Sequence, residues 1–314
     1  MKTTSWLVVG AGAIGLLWTC KLKKLNFNVH LVYRNQSPGN LLSLDESLAS
    51  EENSPTFSEH KIKSFQASQL NKSYDKVLFC TKAYDLLDAY QSVQAHLTKD
   101  ADIACLCNGL GFQERLQQKL QKNQTLWAGT TSEGALKIAP NKVKHTGLGD
   151  TYFGRWCPTK NAKPFPLPSF EVANIHQRLV EKLAINAIIN PITAIYGIQN
   201  GDILSPDYEH LFKNATRELA HFFTQSDFSL LEHSQHLNSD NLINRISTVA
   251  QLTRLNRSSM HEDLRLKRQT ENEFISGYLV SQSKNSLPIQ AALHQAVAKP
   301  EQREEIKKKL LNTV

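Results

Sequence analysis

Two groups of residues in this 314-residue chain have the types and spacing to do chemistry. The first is Gly10-Ala11-Gly12-Ala13-Ile14-Gly15, a G-x-G-x-x-G string that follows the apolar run 6–9 and opens a helix-forming stretch. In such a string the first glycine permits a tight turn, the second lets backbone approach a pyrophosphate, and the third lets helix and strand pack closely. The anion then rests on a helix N-terminus, where N–H groups and the dipole favour negative charge. Versions that take NAD usually carry an Asp or Glu at the end of the second strand to accept from the ribose 2′-OH. Here Tyr33-Arg34-Asn35-Gln36 stands at that point, with no carboxylate before Asp45. An arginine can pair bidentately with a 2′-phosphate and stack on adenine, so the sequence favours NADP.

The second group is Lys182, Asn186 and Asn190, spaced i, i+4 and i+8 in an otherwise apolar segment. On a helix these three share one face over about 12 Å. Either that face meets water, as in any amphipathic helix, or it lines a site, since burying such groups without partners costs several kcal/mol. Asparagine is a poor helix former, so two in one helix interior call for a compensating role.

The elements that must position these groups follow from periodicity. Apolar strands are expected at 6–9, 28–33, 77–80 and 103–107, a helix at 13–25, and a glycine-punctuated β-rich stretch over 125–153 that closes the far edge of the sheet. Strands alternating with helices imply a parallel, doubly wound α/β sheet. Pro158, Pro164, Pro166 and Pro168 read as a stiff interdomain linker. Beyond it the pattern is helical, at 177–196, 208–224, 238–256 and 260–281 with a shorter tail, and there is no internal repeat. The expected architecture is an N-terminal Rossmann domain over 1–170, followed by an all-α domain over 171–314.

Composition narrows the function classes. The chain is 40% apolar and 21% charged, that of an ordinary globular protein. Its net charge of +7 is spread along the chain, and the run Lys307 to Lys309 sits where it complements a helix dipole, so nucleic acid is not an expected partner. A modest positive field suits small anions. No stretch of about 18 consecutive apolar residues marks a membrane span, and residues 1–5 do not read as a signal peptide. Five cysteines without a C-x-x-C pair suggest reduced buried thiols and a cytoplasmic setting. His145, Cys157 and His261 have no companions at ligand spacing, so no metal is expected.

The strings KLAINAIINPITAIYGIQNG at 182–201, CNGLG at 107–111 and NRSSMHEDLRLKRQTENEFISGYLV at 256–280 resemble the ketopantoate reductase (2-dehydropantoate 2-reductase) family. The resemblance runs over nearly the full chain in the right order. It implies an NADPH-binding Rossmann domain and a helical domain enclosing a cleft, in which 2-dehydropantoate is reduced to (R)-pantoate for coenzyme A synthesis. It further implies Lys182 as proton donor, Asn186, Asn190, Asn200, Ser259 and Glu271 as substrate contacts, and Asn108 where cofactor and substrate meet. On the cofactor side it implies the Gly10 to Gly15 loop, Arg34 at the 2′-phosphate, Lys82 in the turn Thr81-Lys82-Ala83, and Ala135 near the nicotinamide. Only the segment 132–134 departs from the family pattern. A small 2-oxoacid is the expected partner, with the chain acting as a monomer or homodimer.

Hydride addition to a ketone places negative charge on oxygen, which a partly desolvated ammonium can stabilise and protonate. Burial would lower the pKa of Lys182 and a neighbouring carboxylate, for which Glu271 is the candidate, would raise it. Ser259 and Glu271 lie about 120° and 18 Å apart on a straight helix, so a helix start is expected near Ser258 or Ser259, with Glu262 or Asp263 in its first turn. Two other functions fit the same residues: a paralogous reductase of another 2-oxoacid, and a non-catalytic NADP-binding sensor. Retention of Lys182 and Glu271 weighs against the sensor.

Overall fold

The computed structural model describes residues 5–47, 57–157, 163–225, 230 and 235–312. These form two compact units, 1–107 with 112–175, and 108–111 with 176–314.

The first unit runs β1 (Ser5–Val9), α1 (Ala13–Lys24), β2 (Asn28–Tyr33), β3 (Leu41–Asp45), β4 (Phe57–Lys61), β5 (Lys63–Gln66), β6 (Tyr74–Phe79), α2 (Leu86–Val93), β7 (Leu97–Cys105), α3 (Phe112–Gln117), β8 (Thr125–Thr131), β9 (Gly134–Ala139), β10 (Lys142–Gly147) and β11 (Thr151–Arg155). Its main sheet has the order β11-β8-β7-β6-β1-β2-β5. All neighbours are parallel except the edge pair β8 and β11. A parallel sheet is covered on both faces, which is why β1 reads Trp-Leu-Val-Val with every one of those side chains buried. Helix α1 buries Leu16, Leu17, Trp18, Cys20 and Leu22, and ends on Lys21, Lys23 and Lys24, whose charges suit its C-terminal dipole.

The structure changes two expectations here. The β-rich stretch 125–153 does not simply close the sheet: β8 and β11 take the edge, while β9 and β10 leave to join β3 and β4 in a second sheet, β4-β3-β10-β9. This small sheet packs on α1. The proline-rich segment is not a bare linker either. Pro158 lies outside the described residues, but Phe165 and Leu167 are buried in the core of the first unit. The Phe165 ring stands 4.8 Å from Trp127 and 4.7 Å from Phe153, centroid to centroid. Prolines preset the extended backbone, and the aromatic between them anchors it.

The second unit holds α4 (Ile175–Tyr196, whose first residue belongs to the first unit), α5 (Glu209–Gln225), α6 (Ser239–Leu252), α7 (Ser259–Arg265), α8 (Ser276–Gln282), α9 (Pro288–Ala298) and α10 (Arg303–Asn312). Helix α4 is long and apolar enough by composition to cross a bilayer, yet 78% of its apolar window is buried within the protein, as befits a core helix. It continues through Pro191. Proline has no N–H to give the carbonyl four residues back. That carbonyl, on Ala187, instead accepts from Gln290 Nε2 at 3.1 Å, and Gln290 is fully buried. Glu218 of α5 in turn accepts from the backbone N–H groups of Ile289 and Gln290 at 2.8 and 2.9 Å, capping α9.

The stretch 260–281 is not one helix. Ser258 caps α7, its hydroxyl accepting from the His261 N–H at 3.1 Å, which matches the expected start, and Glu262 stands in the first turn. The helix ends at Arg265 because Lys267 adopts φ +52, a left-handed C-terminal conformation. A 3-10 turn over Asn272–Phe274 and then α8 follow. Residues 256–276 contain no Gly or Pro, so the sequence carries no breaker signal there. Of the five thiols, Cys157 is exposed and the other four are buried, against the expectation of uniformly buried cysteines.

Candidate active site

In the first unit the loop between β1 and α1 is built from backbone. Gly10 has φ +107, and a Cβ there would sit 2.7 Å from the Cys80 carbonyl oxygen, so only glycine fits where the loop crosses the end of β6. A Cβ on Gly15 would meet the Gly10 carbonyl oxygen at 1.9 Å, which is the close helix-to-strand packing expected of the third glycine. Gly12 is different: an added Cβ would meet only the Cys80 carbonyl oxygen, at an ordinary contact of 3.9 Å. It is the N-cap of α1, with no side-chain cap and no acidic residue in the first turn. Uncapped first-turn amides, a positive dipole end and a glycine without close crowding at Gly12 fit a diphosphate.

Around this loop, Ala11, Ile14 and Ala135 pack partly buried against the same core cluster, and Ala13 begins α1. Lys82 precedes the 3-10 turn Ala83–Asp85, and the Asp85 N–H donates to the Lys82 carbonyl at 3.0 Å. Arg34 follows β2 directly and forms an ion pair with Asp85. Sequence reasoning missed two neighbours of this site. One is Asp85 itself, 51 positions from Arg34. The other is Lys137 of β9, whose ammonium donates to the Ala11 carbonyl at 2.8 Å and lies 6.0 Å from the Tyr33 ring centroid; desolvation lowers its pKa.

In the second unit the chemistry sits on side chains. Lys182 and Asn186 are half-buried on α4 and Asn190 is buried. The Lys182 ammonium is desolvated, which lowers its pKa to about 8, and the Glu271 carboxylate acts against that shift by favouring the charged form. Glu271 is itself buried, just before the 3-10 turn, and its Oε2 accepts from Asn108 Nδ2 at 3.2 Å. The position of Asn108 follows from the two glycines after it. Gly109 (φ +88) lies so close to the Phe274 carbonyl that a Cβ would come within 2.3 Å of its oxygen, and the Leu110 N–H donates to that same oxygen at 2.8 Å. Gly111 (φ +98) lies against the Tyr278 ring. The CNGLG string is thus a turn pressed onto the 271–278 segment, and it brings Asn108 to Glu271.

The remaining residues cluster elsewhere. Asn200 lies beyond the C-terminal end of α4, where its Nδ2 donates to Thr253 Oγ1 at 3.0 Å and its N–H to the Asn256 carbonyl at 2.9 Å. Its Oδ1 is buried and accepts no hydrogen bond among the described residues. Ser259 is exposed at the first position of α7, while the adjacent Ser258 is buried with its hydroxyl 2.8 Å from that of Thr193 on α4. His261 is buried, its Nδ1 3.0 Å from the Ile198 carbonyl. Asn108, Lys182 and Glu271 therefore form one group, and Asn200, Ser258 and Ser259 mark a second around the far end of α4. Ser258 stands where a helix start was expected, whereas Thr193 and Gln290, which also fix these elements, were not foreseen. Pro191, which leaves a carbonyl four residues back in need of a donor, hinted at Gln290.

Comparison with known proteins bears on the whole chain. The profile of the family described as Ketopantoate reductase PanE/ApbA matches residues 6–158, and that of its C-terminal region matches 174–299. A 2-dehydropantoate 2-reductase of Vibrio cholerae is 30% identical over 309 residues, covering 94% of this chain and 97% of that protein. Among solved structures, a probable 2-dehydropantoate 2-reductase from Bacillus subtilis superposes with TM-score 0.73 at 23% identity, covering 95% of this chain and 100% of that one. D-mandelate dehydrogenase with NADH and anilino(oxo)acetate superposes with TM-score 0.80 at 19% identity, covering 98% and 99%.

Proposed function

The chain belongs to the ketopantoate reductase family, and from that premise we propose that it reduces 2-dehydropantoate to (R)-pantoate with NADPH, with Lys182 as proton donor. The observation that carries this reading is the desolvated Lys182 ammonium beside a buried Glu271 that Asn108 holds. With a pKa of about 8 the ammonium is about nine-tenths protonated at pH 7, close to the operating range where a general acid works best.

When bound, the reduced nicotinamide supplies a hydride to the C2 carbonyl carbon. Lys182 stabilises the charge that develops on the carbonyl oxygen and transfers a proton to it from Nζ. Glu271 keeps the ammonium charged against its burial, and Asn108 holds the carboxylate in place. Asn186 and Asn190, one and two turns along α4, offer amides to the substrate. The unclaimed Asn200 Oδ1 can accept from a substrate hydroxyl, and the Ser259 hydroxyl can donate to a carboxylate. On the dinucleotide side, the Gly10 to Gly15 backbone takes the diphosphate, Arg34 takes the 2′-phosphate, Lys82 contributes from the turn after β6, and Ala135 serves the nicotinamide end.

The test is NADPH oxidation measured against a panel of 2-oxoacids. The expected result is the highest kcat/KM with 2-dehydropantoate. A higher value with another branched or aromatic 2-oxoacid would replace the substrate assignment while leaving the reaction class in place.

A further inference from the structure

The pairing of Arg34 with Asp85 bears on which dinucleotide the loop accepts. Arg34 is 71% exposed and Asp85 25% exposed. Asp85 stands at the N-cap position of α2, where an aspartate ordinarily accepts from the first-turn amides, yet its side chain makes no capping bond and reaches Arg34 instead. The strand order β6-β1-β2 explains the reach. The turn after β6 passes over the end of β1, where Gly10 touches the Cys80 carbonyl, and arrives at the end of β2. A carboxylate is thereby brought to the place where NAD-binding loops carry their ribose-binding acid, although β2 and the residues after it supply none.

We infer that Asp85 is a specificity-determining residue that holds down the preference for the 2′-phosphorylated dinucleotide, so that this chain also takes the unphosphorylated form. This rests on the reading that the first unit binds NADPH. Two effects act in the same direction. The carboxylate occupies part of the Arg34 fork that a phosphate would use, and it adds a negative charge beside a dianion. Toward a ribose diol the same carboxylate is an acceptor, so the unphosphorylated dinucleotide suffers neither effect. Holding Arg34 in place ahead of binding would act in the opposite sense, but an ion pair on so exposed an arginine contributes little order. Charge repulsion is therefore the larger effect.

The experiment measures dissociation constants of NADPH and NADH for the full chain, wild type and Asp85→Asn, at low and high salt. The expected result is that D85N raises the ratio of the NADH constant to the NADPH constant about tenfold, through tighter NADPH, and that high salt shrinks the gain. Arg34→Ala in the same background should cut the gain without abolishing it. An unchanged or lowered ratio in D85N overturns the inference while leaving NADPH binding intact. If the wild type binds neither dinucleotide, the cofactor reading itself falls and the inference with it. Should D85N fold poorly, Asp85→Ser, which also removes the charge, gives the same readout.

Discussion

The loop in the first unit and the lysine site in the second are made of different material. The loop is six consecutive residues whose proposed work falls to backbone N–H groups and to the absence of side chains at Gly10, Gly12 and Gly15. The lysine site takes Asn108, Lys182 and Glu271 from three separate segments, and its proposed chemistry rests on an ammonium whose burial lowers its proton affinity. A backbone site is fixed by local conformation and tolerates almost any surrounding fold that supplies a strand and a helix. A side-chain site depends on every element that holds its parts, down to the Gly109 turn pressed on the Phe274 carbonyl.

The largest break of this comparison is Lys182→Met. Loss of the proposed proton donor should lower kcat by at least about 10², measured as NADPH oxidation at saturating substrate. The same change should stabilise the protein near pH 7. The folded pKa of Lys182 lies below its ordinary value of 10.5, so the buried ammonium costs stability at pH below about 8, and the cost is relieved as pH rises from about 8 toward 10.5. It is on the order of 3 kcal/mol at most. A lower rate together with a higher urea midpoint is expected, and an unchanged kcat would remove Lys182 from the mechanism.

Next come the two glycines that anchor the two sites. Gly10→Ala forces a left-handed backbone and a clash with the Cys80 carbonyl, strain of about 1–3 kcal/mol. It should weaken dinucleotide binding about tenfold while leaving the pH profile of kcat as it was. Gly109→Ala instead lifts Asn108 away from Glu271, so kcat should fall about tenfold and its pH profile should move. If both variants changed the same quantities, the sites would not be separable in the way their construction suggests.

This contrast also explains what could be read from sequence. The Gly10 to Gly15 loop was legible from spacing because contiguous backbone chemistry leaves a contiguous string. The Lys182, Asn186 and Asn190 stripe was legible as a helix face, but its use was not: periodicity left open whether it met water, and only resemblance to a family connected it to Glu271 and Asn108. The Arg34 to Asp85 contact was invisible because strand order, not chain order, brings the two together. The break after Arg265 was equally hidden, since Lys267 takes its left-handed conformation with no glycine to announce it. What misled was the proline-rich segment, where Phe165 and Leu167 carry the packing that the prolines concealed.

A smaller effect isolates the electrostatics of the lysine site. In its proposed role Lys182 acts as an acid only while protonated, so kcat should fall as pH rises through about 8. Glu271 is what raises the Lys182 pKa against burial. Glu271→Gln should therefore move the fall in kcat to lower pH, with the rate at pH 6 less affected than the rate at pH 8. A shift to higher pH, or none, would mean that Glu271 does not sustain the charge on Lys182.

The smallest expected effect concerns a backbone group that a side chain serves, the reverse of the first unit's loop. Gln290→Ala strips the donor from the buried Ala187 carbonyl, which should cost about 1–3 kcal/mol in urea unfolding. Pro191→Ala restores an N–H at the position from which α4 would satisfy that carbonyl itself. In the wild-type background the carbonyl already has a partner, so the new N–H brings little to it. In the Gln290→Ala background it should recover about 1 kcal/mol, and the cavity left by the glutamine cancels because both backgrounds of the cycle share it. Strict additivity of the two substitutions would show that Gln290 packs against α4 without substituting for the hydrogen bond that Pro191 removes.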